Sequence, residues 1–431
     1  MKAFKASYPH YQSQLAGFFA LCCLLTACQP MAPSPVQQQI LEAEHNAAAA
    51  YRLAQRRLAS DETEAALRWF EQAWQLGHQD AAEAVFALRQ RRDGKLATAQ
   101  WVEAQQLQAS MHLPEQPLSQ LGLWHLRAES ADAEWPFWLQ AGLTDQAAWQ
   151  SGEACQLTLQ PIAVTQQGAE QWLQIQQAWQ QDEQLHSLAV CFQQLRLISS
   201  TELACSEQAD QRIECQYQAL IPYVQNTAAQ QLVIMAGRGR ASYNNGIIQL
   251  PERADLALLR HEFLHIFNFI DEYRLPKEAA QQVCQPERIH ANILIGKTQL
   301  TAYQQHWGVL PQELKLTAVP TCEYSNYQAY RLIAASNSME YFQLPLPDYY
   351  LQLVQQQLRT PEQLMPVQYY LAYQARLHQL DTEWLRLMQL ADELGYADAE
   401  RLLNQRLSAP ITPVPVSVHP QGSAVPAVSG G

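Results

Sequence analysis

The most constraining feature of this 431-residue chain is an apolar stretch that contains two histidines and a glutamate. The apolar residues predict a buried helix: Leu258, Leu259, Phe263, Leu264, Ile266 and Phe267. His261 and His265 stand four residues apart, so a helix places both imidazoles on one face. A buried helix that carries these histidines and Glu262 needs a compensating partner, and a metal ion is the natural one.

The order of these residues is that of the H-E-x-x-H motif, His261-Glu262-Phe263-Leu264-His265. In this motif two imidazole nitrogens bind zinc, and the glutamate holds a water molecule beside the ion. Zinc lowers the pKa of that water, and the carboxylate accepts its proton and passes it to the leaving amine. We therefore expect a zinc-dependent hydrolase of peptide bonds, with His261 and His265 as ligands and Glu262 as general base.

A catalytic zinc usually takes a third protein ligand and leaves one position for water. The sequence after the helix extends the motif to H-E-x-x-H-x-x-N-x-x-D, which ends with Asn268 and Asp271. This string resembles the metzincin motif H-E-x-x-H-x-x-G-x-x-H/D, in which the glycine ends the helix in a left-handed conformation. Asn tolerates that conformation better than most residues. The resemblance implies that the helix ends near Asn268 and that Asp271 folds back as the third zinc ligand.

Glu272 is the alternative third ligand. On a straight helix it would lie on the histidine face but about 10 Å further along the axis, so it could reach the ion only after a chain turn. The string Asp271-Glu272-Tyr273 is also similar to bacterial IgA-peptidase-type metallopeptidases, which place Asp-Glu-Tyr one residue further along. We favour Asp271 as the ligand. Glu272 could instead orient a ligating histidine.

A second resemblance lies downstream, in Ser336-Asn337-Ser338-Met339-Glu340-Tyr341. It is similar to the metzincin Met-turn, a tight turn that places a methionine beneath the zinc. The resemblance implies that the Tyr341 hydroxyl stabilises the oxyanion, and that residues 247–250 form an edge strand that binds extended substrate. His290 and His306 lie between the two motifs. Either could be a ligand if Asp271 is not, but we interpret both as ordinary surface or loop histidines.

The N-terminus is typical of a lipoprotein signal peptide. Two lysines precede a short apolar run that ends in Leu25-Thr26-Ala27-Cys28. This end resembles the lipobox of bacterial lipoproteins, in which the cysteine is lipidated after cleavage. The resemblance implies that residues 1–27 are removed, that Cys28 carries a palmitoylated anchor, and that Gln29 favours the outer membrane. We expect a protein of the cell envelope that faces the periplasm or the cell surface.

Six cysteines remain beyond the lipobox, and an even number in an exported chain predicts three disulfides. The sequence alone leaves the connectivity open. Neighbourhood in the chain favours the pairs Cys155–Cys191, Cys205–Cys215 and Cys284–Cys322. None of the six has the C-x-x-C spacing of a structural zinc site.

Composition and periodicity divide the chain into successive segments. We predict a signal peptide, a Pro/Gln-rich tether, a helical segment, an α/β region, the metallopeptidase core, a C-terminal helical hairpin and a disordered tail, at residues 1–27, 28–39, 40–112, 113–230, 231–370, 371–407 and 408–431. Small residues around Leu76-Gly77 and Leu394-Gly395 resemble Sel1-like tetratricopeptide repeats. Gly77 is the expected helix C-cap.

The expected fold class is α+β, with a zincin-like catalytic domain of mixed sheet and active-site helix, flanked by helical repeat segments. The formal net charge of −13 argues against nucleic acid as a partner, because phosphate binding needs a basic patch. We expect a protein or peptide substrate, cleaved by an endopeptidase rather than an exopeptidase. The alternative is a lipid-anchored binding or assembly protein that holds a partner through its helical repeats, with a structural or degenerate metal site.

Overall fold

The computed structural model describes residues 34–106, 115–126, 149–150, 155–225 and 227–408. The chain forms two compact units, the first ending at Leu88 and the second beginning at Arg89. The predicted signal peptide, the lipobox cysteine Cys28 and the tail after Ser408 lie outside the described residues. Within the described ranges, no helix combines the length and the apolar character that crossing a bilayer requires.

The first unit is built from helices, and local side chains cap the starts of the first two. These helices are α1 (Pro35–His45), α2 (Ala47–Ala59), α3 (Thr63–Gln75) and the beginning of α4 (Gln79–Asp93). Ser34 and Gln37 form a capping box, and the Asn46 side chain accepts a hydrogen bond from the Ala49 amide. Helix α1 therefore begins inside the segment predicted as a tether, because the capping box and an N-terminal proline favour a helix start at Pro35.

Glycine ends two of the helices, as the repeat-like patterns predict. Gly77 has a φ of 95° just after Leu76, the C-cap of α3. Gly395 has a φ of 88° just after Leu394, which caps the helix near the C-terminus. This left-handed position after the C-cap is the one that glycine adopts without strain. Helical structure around Gly77 and Gly395 is confirmed, whereas the relationship to tetratricopeptide repeats stays a prediction.

The second unit mixes helices and strands, so the predicted α+β class is confirmed. Its helices are the end of α4, α5 (Lys95–Gln106), α6 (Glu115–Leu121), α7 (Gln166–Gln181), α8 (Ser200–Leu203), α9 (Ile221–Val224), α10 (Leu256–His265), α11 (Lys277–Val283), α12 (Leu300–Trp307), α13 (Asp348–Gln357), α14 (Val367–Leu377), α15 (Asp381–Glu393) and α16 (Ala397–Ser408). Its strands are β1 (Trp149–Gln150), β2 (Leu157–Ala163), β3 (Val190–Phe192), β4 (Arg196–Leu197), β5 (Gln231–Met235), β6 (Ser242–Asn244), β7 (Ile247–Leu250), β8 (Ile293–Ile295), β9 (Thr317–Val319) and β10 (Ala329–Arg331).

A seven-stranded mixed sheet forms the centre of the second unit, in the order β1-β3-β2-β5-β7-β6, with β4 also paired to β2. Strands β2 and β5 pair in parallel, from Leu159 opposite Gln231 to Ala163 opposite Met235. Strands from both sides of residue 230 therefore share one sheet. The α/β region and the core, which we placed on either side of that boundary, are parts of one structure, because main-chain hydrogen bonds join them.

Strand β7 lies inside the sheet, so the prediction that residues 247–250 form its edge is wrong. Strand β7 pairs with β5 on one side and with β6 on the other. Positive φ angles of 46° at Asn245 and 93° at Gly246 form the tight turn that reverses the chain from β6 into β7. The apolar pattern of β7 marks a strand but carries no information on its place in the sheet.

Different helices cover the two faces of this sheet. Val233 and Met235 of β5 pack into the same core as α7, α10 and α13, whereas Leu232 and Ile234 pack into the core formed with α14 and α15. This division follows from the alternation of side chains along a strand. The predicted C-terminal hairpin is in fact three helices, α14 to α16, and it begins earlier, at Val367. The histidine-bearing helix α10 lies in the first layer.

A smaller antiparallel sheet, in the order β8-β10-β9, follows α11. The Cys284–Cys322 disulfide joins the residue after α11 to the short helical turn that follows β9. The described disulfides are Cys155–Cys191, Cys205–Cys215 and Cys284–Cys322. All three predicted pairings are confirmed.

Candidate metal centre

Helix α10 holds its two histidines on a buried face. The Asp255 side chain accepts a hydrogen bond from the Leu258 amide at 2.9 Å and caps the start of the helix. Phe263 is fully buried against the sheet layer. The rings of His261 and His265 therefore face the same side, with their centroids 5.0 Å apart. The predicted buried helix with both imidazoles on one face is confirmed.

Asn268 turns the chain directly after this helix. Helix α10 ends at His265, and Asn268 has a φ of 61°. Its side chain donates to the carbonyl of Ile289 at 3.0 Å, and its own carbonyl accepts from the Ala291 amide at 3.1 Å. These bonds hold a left-handed conformation that costs most residues roughly 1–2 kcal/mol. The predicted helix end near Asn268 is confirmed, and Asp271 is folded back towards the histidines.

Three buried side chains converge where the chain folds back. His261, His265 and Asp271 each offer one ligand atom, and these atoms all lie within 4.8 Å of one another. Oδ1 of Asp271 is 3.0 Å from Nε2 of His261 and 3.4 Å from Nε2 of His265. Tetrahedral ligands bonded at zinc distances stand roughly 3.3 Å apart. The separations fit a single small ion, and this group could hold a metal ion.

Backbone carbonyls fix which ring nitrogen faces the centre. Nδ1 of His261 is 2.8 Å from the Ser338 oxygen, and Nδ1 of His265 is 2.8 Å from the Phe269 oxygen. Because a carbonyl only accepts, each Nδ1 carries a hydrogen, and each Nε2 of a neutral ring is an acceptor. Both Nε2 atoms face the carboxylate of Asp271, which is a third acceptor. Three acceptors that face one another need positive charge between them, which either a metal ion or protons bound to the rings can supply.

Several buried atoms of the site have no hydrogen-bond partner in the part of the chain that the structure describes. They are Nε2 of His265, both carboxylate oxygens of Asp271 and Oε2 of Glu262. An unsatisfied buried polar group costs about 1–3 kcal/mol, and more when it is charged. A metal ion bound between these side chains would satisfy such atoms, so the residues fit a resident metal.

The pKa values show how strongly this site favours positive charge. Burial lowers the pKa of His261, but the Asp271 carboxylate raises it by more, to about 9. For His265 the same carboxylate outweighs burial and raises the pKa. Burial alone would raise the pKa of Asp271, yet the two imidazoles hold it well below its usual range. The electrostatic field between the three side chains therefore attracts a cation.

Glu262 lies beside the ligand group without belonging to it. Its side chain is buried, and Oε2 is 4.0 Å from Nε2 of His265. Burial raises the pKa of Glu262, although the imidazoles of His265 and His261 oppose the rise. A carboxyl group with a raised pKa accepts and returns a proton near neutral pH more readily. This position suits a general base next to the ion.

Glu272, the alternative third ligand, is turned away into a separate network. Its carboxylate accepts hydrogen bonds from Asn292 at 3.0 Å, from Asn337 at 2.8 Å and from the Tyr350 hydroxyl. Arg331 lies 3.4 Å from it. Its carboxylate is thus occupied, and Asp271 is the residue that meets the histidines. Glu272 contacts neither imidazole ring through these bonds, but it holds Asn337 next to the Ser338 carbonyl that orients His261.

The Ser336–Tyr341 segment forms a tight turn in which Met339 is fully buried. The amides of Glu340 and Tyr341 both donate to the Asn337 carbonyl at 3.0 Å. The Met339 carbonyl accepts from the Glu272 amide at 2.9 Å, which ties the turn to the segment after α10. Tyr341 is 58% exposed at the surface of this turn, so its role as an oxyanion donor stays a prediction.

The two other histidines of the core segment stand apart from the ligand group. His290 lies in a loop, as expected, but it is buried there; its Nε2 is 3.0 Å from the Val283 carbonyl, and its Nδ1 is 3.2 Å from Oδ1 of Asn268. Burial lowers the pKa of His290 to about 4. His306 is exposed on α12.

The sequence analysis did not assign a role to Tyr273 or Arg212, which both interact electrostatically with the centre. Burial is the main reason that the pKa of Tyr273 is raised, and the charges of Asp271 and Glu262 add to it. Arg212 is half-buried, and its charge acts on the same two carboxylates and on Tyr273. Tyr273 stood in the motif string, but Arg212 is far from it in sequence. The one sequence feature that marks Arg212 is its position between Cys205 and Cys215, which were predicted to form a disulfide.

Comparisons with protein-family models, with curated proteins and with solved structures find no match to this chain. What can be said of its class therefore rests on the fold and on the geometry of the His261, His265 and Asp271 group.

Proposed function

We propose that this chain is a zinc-dependent metallopeptidase. The observation that carries the proposal is the convergence of three buried acceptor groups, from His261, His265 and Asp271, with the free carboxylate of Glu262 beside them. Two imidazoles and one carboxylate form a donor set that suits zinc, and three protein ligands leave one coordination position open. The identity of the metal and the reaction are parts of the proposal.

The roles of the residues follow from their positions. When bound, zinc would supply Lewis-acid activation of a water molecule and of the scissile carbonyl. The carbonyls of Ser338 and Phe269 keep both imidazoles in the tautomer that presents Nε2 to the centre. Glu262 accepts the proton of the attacking water and returns it to the leaving amine.

We further propose a zincin-like architecture of the metzincin kind. Four features support it: a mixed sheet beside the histidine helix, the left-handed turn at Asn268, the return of Asp271, and the tight turn around Met339. The strand that binds extended substrate by main-chain pairing would then be β6, because β6 and not β7 is at the edge.

Metal content tests the site directly. We expect one zinc ion per chain in protein purified from zinc-replete medium, measured by plasma mass spectrometry. His261→Ala and Asp271→Ala should each lose most of this zinc, because each removes a ligand. His306→Ala is the matched control and should keep it, since His306 is exposed and is not a member of the ligand group. A wild-type chain without stoichiometric metal would refute the proposal.

Glu262→Gln separates metal binding from catalysis. The variant keeps all three ligand groups, so we expect unchanged zinc content. Loss of the general base should slow hydrolysis of a casein or peptide substrate by about 10²–10⁴-fold. The measurement is the rate of new amino-terminus formation. Equal rates in Glu262→Gln and wild type would exclude Glu262 as the base.

The alternative function is that of a binding or assembly protein with a structural metal, and it predicts a different number of protein ligands. A structural zinc takes four protein ligands, whereas a catalytic one keeps an open position. The described residues bring three candidate ligands together, which supports the catalytic reading. X-ray absorption of the zinc-loaded protein would distinguish three protein ligands plus water from four protein ligands.

The lipid anchor and the outer-membrane location remain proposals from the Leu25-Thr26-Ala27-Cys28 string. Metabolic labelling with palmitate in a bacterial host tests them. We expect label on the wild-type chain and none on Cys28→Ser. Cys155→Ser is a suitable control, because it removes a disulfide cysteine and leaves the lipobox intact.

A further inference from the structure

A cavity of about 580 Å³ lies in the second unit, and none of the residues that line it belongs to the candidate metal centre. Its volume is within the range of sites that bind small molecules. The junction of α4 and α5, the turn after β5 and the connection from β7 to α10 all contribute to its wall. This site is here called the arginine cavity. Its charged lining residues are Arg91, Lys95, Glu207, Arg238, Glu252 and Arg253.

The two carboxylates and the lysine of the arginine cavity have partners within the protein. Oε2 of Glu252 is 2.5 Å from Nζ of Lys95, and Oε1 of Glu252 accepts a hydrogen bond from the Thr165 hydroxyl at 2.5 Å. Oε2 of Glu207 accepts from the Leu96 amide at 3.2 Å, in the first turn of α5. These bonds fix one part of the wall and use the charge of Lys95.

The three arginines differ from these residues because their charges are not paired. Arg91 belongs to α4, Arg238 follows β5, and Arg253 lies between β7 and α10. All three side chains are exposed, and none has a carboxylate within ion-pair distance in the part of the chain that the structure describes. The neighbouring Arg92, by contrast, pairs with Asp93 at 2.7 Å. Three segments that are distant in sequence therefore bring unpaired arginines to one cavity.

Two glycines allow the wall segments to approach each other closely. Gly94 joins α4 to α5 with a φ of 90°, and a Cβ there would clash with the Glu207 carboxylate. Gly237 has a φ of 76°, and a Cβ there would lie 2.6 Å from the Ser206 oxygen. The next amide, that of Arg238, donates to the same Ser206 oxygen at 3.1 Å. The backbone that carries Arg238 is thus held in place before any ligand binds, which reduces the entropy lost on binding.

The charge of the arginine cavity is opposite to that of the whole chain. Four cationic side chains and two carboxylates line it, so it has an excess of two positive charges. The chain as a whole has a formal net charge of −13. A concave site with an excess of one charge attracts ligands of the other sign. Guanidinium groups bind phosphate through paired hydrogen bonds, and a phosphate monoester carries about −1.5 to −2 charges at pH 7, which matches the excess.

We propose that the arginine cavity is a binding site for a small soluble phosphate monoester, and that the guanidinium groups of Arg91, Arg238 and Arg253 hold its phosphate group. The exposed positions of these arginines leave the cavity accessible from solvent. The site shares no residue with the His261, His265 and Asp271 group, so the proposal does not depend on a metal ion or on peptide hydrolysis.

Calorimetric titration of the full-length protein at constant ionic strength tests the site. The probes are glycerol 3-phosphate, acetate as a monoanion, and glycerol as the uncharged control. We expect one molecule of glycerol 3-phosphate per chain, bound at least about tenfold tighter than acetate, which corresponds to about 1.4 kcal/mol. Glycerol should give no binding heat. Absence of binding by glycerol 3-phosphate, or equal affinity for acetate, overturns the proposal.

Substitutions locate the bound phosphate. The double variant Arg238→Gln/Arg253→Gln should bind glycerol 3-phosphate at least about tenfold more weakly, because hydrogen bonds from charged donors are lost. Arg91→Gln should weaken binding from a different segment of the wall. Arg240→Gln is the matched control, since Arg240 is exposed and lies two residues after Arg238 but does not line the cavity.

The control distinguishes a specific site from a general effect of charge. Arg240→Gln should keep the wild-type affinity, and the thermal unfolding curves of all these variants should match that of the wild type, because the substituted side chains are exposed. Affinity that survives in the double variant would place the phosphate elsewhere, for example on a bound metal ion, and overturns the proposal. An equal loss of affinity in Arg240→Gln and in the double variant overturns it as well.

Discussion

Asp271 and Glu272 are adjacent carboxylates with opposite surroundings. Asp271 lies against the Nε2 atoms of two imidazoles, at 3.0 Å from His261 and 3.4 Å from His265. Glu272 is surrounded by donors from Asn292, Asn337 and Tyr350. The Asp271 carboxylate is therefore available to bind a cation, whereas the Glu272 carboxylate accepts hydrogen bonds that hold neighbouring segments together. The difference arises from the backbone turn, which points consecutive side chains in different directions.

Asn268 offers a test of that turn at a single residue. Asn268→Gly should keep the zinc and change stability little, because glycine adopts a φ of 61° without strain. Asn268→Val should cost at least about 1–2 kcal/mol, since a β-branched residue is strained there. Thermal unfolding and zinc affinity are the measurements. Equal zinc affinity and stability for the two variants would show that the left-handed turn does not position Asp271.

Glu272→Gln tests the buried network. The variant removes the charge opposite Arg331 and turns two acceptor oxygens into one, so we expect a loss of about 3 kcal/mol. Zinc affinity should fall as well, because Asn337 and the Ser338 carbonyl lose their support. Glu323→Gln is the control, since its pair with Arg274 is exposed and worth little. An unfolding curve like that of the control would contradict the role assigned to Glu272.

At the scale of structural elements, the Cys284–Cys322 disulfide is linked to the candidate metal centre through Thr321. It joins the end of α11 to the segment that contains Thr321, whose hydroxyl donates to the Asp271 carbonyl at 2.9 Å. A double serine variant should lose about 2–4 kcal/mol of stability and bind zinc more weakly. The matched change at Cys155 and Cys191, at the β1–β3 side of the sheet, should lower stability while leaving zinc affinity unchanged.

Local patterns predicted the elements well, and distant contacts explain what was missed. The histidine helix followed from spacing and residue type, its end near Asn268 from the metzincin resemblance, and the three disulfides from neighbourhood in the chain. The interior position of β7 did not, because strand order depends on partners far away in sequence. Arg212 was missed for the same reason, since no sequence pattern measures its distance from Glu262. The sequence already favoured Asp271 over Glu272, and the course of the turn brings Asp271 to the histidines.

For the whole molecule, metal removal should affect the two units differently. Chelation should increase hydrogen exchange in α10 and in the turn around Met339, because a bound ion stabilises only the folded state that binds it. Exchange in α2 and α3 of the first unit should stay the same, since the ligand group belongs to the second unit. Exchange mass spectrometry with and without a chelator measures both. A uniform change across α2, α3 and α10 would contradict this expectation.

The contact between Nδ1 of His261 and the Ser338 carbonyl has a consequence for how the chain matures. The three ligand groups lie between residues 261 and 271, so the loop that brings them together is short and closes at small entropic cost. The carbonyl that orients His261 is 77 residues away and arrives only when the small sheet and the Met339 turn are in place. An incompletely folded chain can therefore capture the ion early, but it acquires the correctly aimed imidazole last. For the peptidase that we propose, such an order would delay hydrolytic competence until folding is finished and would protect the chain from its own activity during synthesis.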